Sequence, residues 1–148
     1  MKSGNSTLQK NTRRPVWAIL NFHPMPKKIL VVDDSITVRQ QASLALGAAG
    51  YAVVEAVDGQ DALDKLAANG DAAMVICDVN MPRLSGLEFV ERMRQDGKHA
   101  TLPVIMLTTE ANPSLIDRAK KAGAKAWVTK PCKDDLLVKT VNKIAGPP

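Results

Sequence analysis

The sequence predicts an α/β fold, a five-stranded parallel sheet doubly wound by helices in a single domain, and three observations carry that expectation. Apolar runs of strand length alternate with helix-length amphipathic segments from Lys28 onward. The runs are rich in Val and Ile and lack a polar alternation, as strands covered on both faces require. The chain has 148 residues, 45% of them hydrophobic and 24% charged, which suits one soluble globular domain able to bury a core without staples.

Taken in order, the expected strands are Ile29 to Val32, Tyr51 to Val54, Ala72 to Cys77, Val104 to Leu107 and Ala126 to Val128. The first helix is expected from Val38, Ala42, Ala45, Leu46 and Ala49, which keep helical spacing. Leu63, Leu66 and Ala67 mark the second helix, and Leu87, Val90 and Met93 the third. Leu115, Ala119 and Ala122 make a fourth stripe, and Leu137, Val141 and Ile144 a fifth. Ser85 followed by Glu88 fits a capping box, and Asn112 before Pro113 fits an N-cap with proline at the first helical position. Asp134 and Asp135 open the last helix, where the helix dipole favours negative charge. Five βα units in succession give right-handed crossovers.

Residues 1–26 have no packable periodicity and are read as a disordered N-terminal extension, or as an upstream start with the natural protein beginning at Met25. The folded unit is expected over residues 27–146. The apolar run from Val16 to Phe22 is too short to span a membrane. Lys2, Lys10, Arg13 and Arg14 lie in this stretch with no acid, so they account for most of the net charge of +5, and the body is nearly neutral. Basicity is therefore a property of the tail, and direct DNA binding is not expected. Cys77 and Cys132 have neither zinc nor redox spacing, which points to a reduced, cytoplasmic setting. His23 and His99 have no ligand spacing.

In such a sheet, ligands bind at the carboxyl ends of the strands, so the polar residues that follow the apolar runs are the candidate site. They are Asp33 and Asp34, then Asp78, Thr108 and Lys130. Three carboxylates at one rim repel each other, and a hard cation with oxygen ligands relieves this; Mg²⁺ fits because it needs few protein ligands. The Thr108 hydroxyl and the Lys130 ammonium are suited to phosphoryl oxygens, which makes Asp78 a candidate nucleophile. Each residue also has a plainer reading. Asp34 or Ser35 suits a helix cap, Thr108 a cap and Lys130-Pro131 a solvated turn. Cys77 reads as a small core residue.

KILVVDDS, VICDVNMP with SGLEF behind it, VIMLTTEA and WVTKP resemble the signature blocks of response-regulator receiver domains, closest to the stand-alone chemotaxis type, from Lys28 to the C-terminus. The resemblance, rather than the periodicity, implies the flavodoxin-like strand order 2-1-3-4-5. It implies a phosphorylation-dependent signalling switch in which Asp78 accepts phosphate from a sensor histidine kinase or phosphotransfer protein. It also implies that Asp33, Asp34, Asp78 and the backbone carbonyl of Asn80 hold Mg²⁺, that Lys130 and Thr108 grip the phosphoryl oxygens, and that Trp127 moves with Thr108 as a switch. The implied readout surface for a downstream protein is the last helix pair and the fifth strand, on a monomer or weak dimer. Trp127 stands where tyrosine or phenylalanine is usual, and Thr109 where a smaller residue is frequent. As a packing residue, Trp127 would have no switch role.

The rival enzymatic reading is an aspartate-nucleophile, Mg²⁺-dependent phosphohydrolase. Such enzymes carry a second aspartate two residues after the nucleophile, and here Asn80 holds that place, unable to exchange a proton. After Lys130 only 18 residues remain, enough for one helix, so no output domain is expected. A nucleotide-binding enzyme is disfavoured because DDS, not a glycine-rich loop, follows the first strand.

Overall fold

The computed structural model describes residues 25–109 and 112–148. The expectations for the extension fall almost wholly outside the described residues. Strands β1 (Lys28–Val32), β2 (Ala52–Ala56), β3 (Ala72–Cys77), β4 (Val104–Thr108) and β5 (Ala126–Thr129) alternate with helices α1 (Ile36–Ala48), α2 (Gly59–Ala68), α3 (Gly86–Gln95), α4 (Pro113–Lys121) and α5 (Asp134–Ala145). The strands form one sheet in the order β2-β1-β3-β4-β5, and each pairing is parallel.

Strand alternation divides the core into two layers. Leu30, Val32, Val75, Cys77, Val104 and Met106 face α2, α3 and α4, where Leu66, Phe89 and Ala119 meet them. Ile29, Val31, Met74, Ile76, Ile105 and Leu107 face α1 and α5, where Leu46, Leu137 and Val141 close the other side. Burial on both faces accounts for the unbroken apolar runs seen in the sequence.

The second strand lies one to two residues later than the sequence suggests, at Ala52–Ala56 instead of Tyr51 to Val54. β2 is an edge strand, so the exposed Glu55 still pairs in register with Val31. Tyr51 sits before the strand as a buried packing residue, its hydroxyl donating to the Gly146 carbonyl at 2.6 Å.

The helix starts follow local chemistry. Ser35, not Asp34, caps α1, its hydroxyl accepting the Val38 N–H. Ser85 and Glu88 form the expected capping box on α3. Asn112 accepts the Ser114 N–H, with Pro113 opening α4. Asp58, which the sequence reading passed over, caps α2 through the Asp61 N–H at 2.8 Å.

Candidate functional site

The carboxyl edge of the sheet gathers the residues that follow β1, β3 and β5. The Asp33 N–H donates to the Ala56 carbonyl at 3.1 Å, and the Asp78 N–H to the Val32 carbonyl at 3.0 Å. Each aspartate is thus fixed by the strand next to its own, one residue beyond the ladder. Lys130 is held in the same way, its N–H donating to the Thr108 carbonyl at 2.9 Å.

Two of the acids are buried and one is exposed: Asp33 is 2% and Asp78 8% accessible, whereas Asp34 faces solvent. The Lys130 ammonium bridges the buried pair, donating to Asp33 Oδ2 at 2.6 Å and Asp78 Oδ2 at 3.1 Å. The remaining oxygens are also engaged. Asp33 Oδ1 accepts the Ser35 N–H at 2.9 Å, and Asp78 Oδ1 accepts the Val79 N–H at 2.7 Å.

Burial pushes the Asp33 carboxyl above its ordinary value, against the lowering effect of Lys130 and the Ser35 N–H. Burial works to lower Lys130 as well, but its bonds to Asp33 and Asp78 more than offset this and hold it above the usual lysine value. Cys77, fully buried beside these acids, is pushed well above the ordinary thiol value by burial first and then by the charges of Asp78 and Asp33. It is therefore a protonated core residue.

One carboxylate oxygen from each of Asp33, Asp34 and Asp78 lies within 4.8 Å of the others. Three negative charges with a single ammonium bonded among them leave an excess that a divalent cation offsets, and an all-oxygen donor set with an open, exposed side suits Mg²⁺ rather than a softer metal. The residues present therefore fit a hard cation.

Thr108 ends β4 fully buried, paired in register with Thr129, and Met106 pairs with Trp127. Trp127 is half-buried and packs on the α2–α3–α4 side of the sheet, while Val128 packs on the α1–α5 side. Sequence analysis did not single out the supports of this edge. Arg39 donates to the Asp33 carbonyl at 2.8 Å and to Glu55 at 3.1 Å. Gly86 approaches the Asp78 carbonyl so closely that a Cβ would lie 1.8 Å from the oxygen, so no other residue fits there. The glycine of SGLEF was the available signal for this contact.

Fold and rim chemistry together define a class: a small parallel α/β protein whose carboxyl edge holds an acid cluster that fits a hard cation, bridged by a half-buried lysine. Residues 29–142 match the family described as "Response regulator receiver domain". The chain is 38% identical to the chemotaxis protein CheY1 of Helicobacter pylori over 120 residues, covering 80% of this chain and 97% of that protein. It is 38% identical over the same length to a CheY homologue of Campylobacter jejuni, covering 92% of it. Among solved structures, chemotaxis protein CheY4 of Vibrio cholerae superposes with a TM-score of 0.75 at 40% identity, over 80% of this chain and 98% of that one. The chain belongs to the response regulator receiver domain family and is of the CheY-like type. It is a signalling module whose state depends on phosphorylation. No helix among the described residues is long and apolar enough to cross a membrane.

Proposed function

We propose that Asp78 is the phosphoacceptor of this switch. A phosphohistidine on a sensor histidine kinase or phosphotransfer protein gives up its phosphoryl group: the P–N bond breaks, a P–O bond forms to an Asp78 carboxylate oxygen, and the imidazole leaves. The observation that carries this reading is Lys130 bridging Asp33 and Asp78 at 2.6 and 3.1 Å within the acid cluster. Asp33, Asp34, Asp78 and the backbone carbonyl of Asn80 would hold Mg²⁺, which when bound supplies charge that offsets the carboxylates and the phosphoryl oxygens.

The chain's own groups do the rest. Lys130 gives up an acid partner and turns to a phosphoryl oxygen, and the Thr108 hydroxyl takes another. The same groups permit phosphorylation from small donors and slow self-dephosphorylation, with Asn80 giving no proton to speed turnover. Thr108 drawn toward the phosphoryl group opens room beside β5 for Trp127, and the altered face of α4, β5 and α5 is read by a downstream protein. Residues 27–146 make up the whole receiver, acting in the cytoplasm as a monomer or weak dimer.

Incubation with acetyl phosphate and Mg²⁺ tests the assignment. One acid-stable, hydroxylamine-labile phosphoryl group per chain is expected. Uptake by Asp78→Asn at the parent rate would show that another residue is the acceptor.

A further inference from the structure

The loop from Val79 to Ser85 joins β3 to α3 and carries Asn80. It is buried at Val79 and Leu84, while Asn80, Pro82 and Arg83 face water. Backbone bonds pin the two buried points. The Gly86 N–H donates to the Val79 carbonyl at 2.8 Å, and the Gly59 N–H from the start of α2 donates to the Leu84 carbonyl at 3.1 Å. The second contact is close: a Cβ on Gly59 would lie 2.5 Å from the Leu84 oxygen.

Between these points stands Arg83, with φ of +68°, the only described non-glycine residue at positive φ. A glycine would take that backbone conformation without strain, whereas an arginine holds it only if its surroundings enforce it. Its side chain supplies the enforcement. The guanidinium grips Asp58 with two bonds, Nε to Oδ2 at 2.7 Å and a terminal nitrogen to Oδ1 at 3.0 Å. Asp58 is itself 4% accessible and caps α2 through the Asp61 N–H. The Arg83 guanidinium holds the Asp58 carboxyl below the ordinary range, against its burial. A planar fork on a seated carboxylate fixes direction as well as distance, which a lysine at the same place would not do.

We propose that Arg83 and Asp58 form a positioning lock that ties the β3–α3 loop to the start of α2 and so sets the loop carrying Asn80 against the acid cluster. The lock lies outside the cation's own donors and acts through the loop, so its release weakens cation binding without removing a ligand. This inference rests on the reading of the acid cluster as a Mg²⁺ site.

Three variants of the full chain separate the lock from general stability. Arg83→Gly removes the fork and relieves the positive φ. Asp58→Asn keeps an oxygen for the Asp61 N–H but loses the charge. Arg83→Lys restores charge without the fork. Calorimetric titration with Mg²⁺ alone is expected to give a dissociation constant about tenfold weaker for Arg83→Gly and for Asp58→Asn. The double variant should be no weaker than either single one, and Arg83→Lys should fall between parent and Arg83→Gly. Phosphorylation by acetyl phosphate should return to near the parent rate when Mg²⁺ saturates. Arg83→Gly should melt no lower than the parent, because relief of the positive φ offsets the lost ion pair, so its weaker Mg²⁺ binding does not come from lost stability. Parent-like Mg²⁺ affinity in Arg83→Gly, or effects that multiply in the double variant, would overturn the lock alone. A parent chain that binds no Mg²⁺ would overturn the lock and the cation site together.

Discussion

Asp34 separates the cation-site reading from the helix-cap reading by the sign of one measurement. Its carboxylate is exposed, and its oxygen lies within 4.8 Å of oxygens on Asp33 and Asp78. Two unit charges at that distance repel by about 1 kcal/mol in water and about 3 kcal/mol at an effective dielectric of 20. Exposure places Asp34 at the low end, so Asp34→Ala should stabilise the metal-free protein by up to about 1 kcal/mol, or roughly 4 °C in melting temperature. The cap of α1 is unaffected, because Ser35 makes that bond. Ser35→Ala should instead destabilise by about 1 kcal/mol.

Mg²⁺ should invert the order of parent and Asp34→Ala. At a concentration about tenfold above its dissociation constant, Mg²⁺ stabilises the parent by roughly 1.4 kcal/mol through mass action, and the variant, lacking one carboxylate, by much less. Circular-dichroism melts in EDTA and in Mg²⁺ read both effects on the same samples. An Asp34→Ala protein that melts below the parent in EDTA, or that gains the parent's full shift in Mg²⁺, would refute the argument.

Burial raises the Asp33 carboxyl, so the stability tied to its protonated form is full below the ordinary value of 3.8 and is lost as pH rises through the raised value. In EDTA, Asp33→Asn, which mimics that neutral form, should gain on the parent in melting temperature as pH rises from 3.8 through the raised value; a gap that narrows as pH rises contradicts the sign. Deleting residues 1–26 should leave melting temperature and acetyl phosphate labelling nearly unchanged, and loss of either would mean that the Val16 to Phe22 run docks on the body. On that shortened chain, which lacks Trp17, adding beryllofluoride with Mg²⁺ should change the Trp127 fluorescence, and the change should vanish in Thr108→Ala. An unchanged spectrum with beryllofluoride bound would leave Trp127 as a packing residue.

The position of the candidate site was legible in the sequence because a parallel sheet buried on both faces announces its own carboxyl edge. Each run of Val, Ile and their like stops where the strand leaves the core, and the first polar residues past that point are Asp33, Asp78 and, one residue past Thr129, Lys130. The same logic misplaced β2, since an edge strand need not be apolar throughout and Glu55 extends the ladder into solvent. Helix α3 was read too narrowly for a related reason. Leu87, Val90 and Met93 mark one stripe, but Phe89 is equally buried, within an apolar layer shared with α2 and α4 that is wider than a single seam.

Contacts between loops leave no period to read. Asp58 and Arg83 are 25 residues apart, and each alone suggests only a cap or a solvated charge. Gly59 and Gly86 open α2 and α3, and the structure shows Leu84 and Asp78 pressed against them. These four residues decide where the β3–α3 loop lies relative to Asp78, so the part of the site hidden from sequence periodicity is its alignment, while the chemical groups themselves stand in plain view. Substitutions at Arg83 or Asp58 should therefore alter how tightly the edge binds its cation while leaving the acid cluster chemically complete, a separation that substitutions at Asp33, Asp34 or Asp78 cannot make.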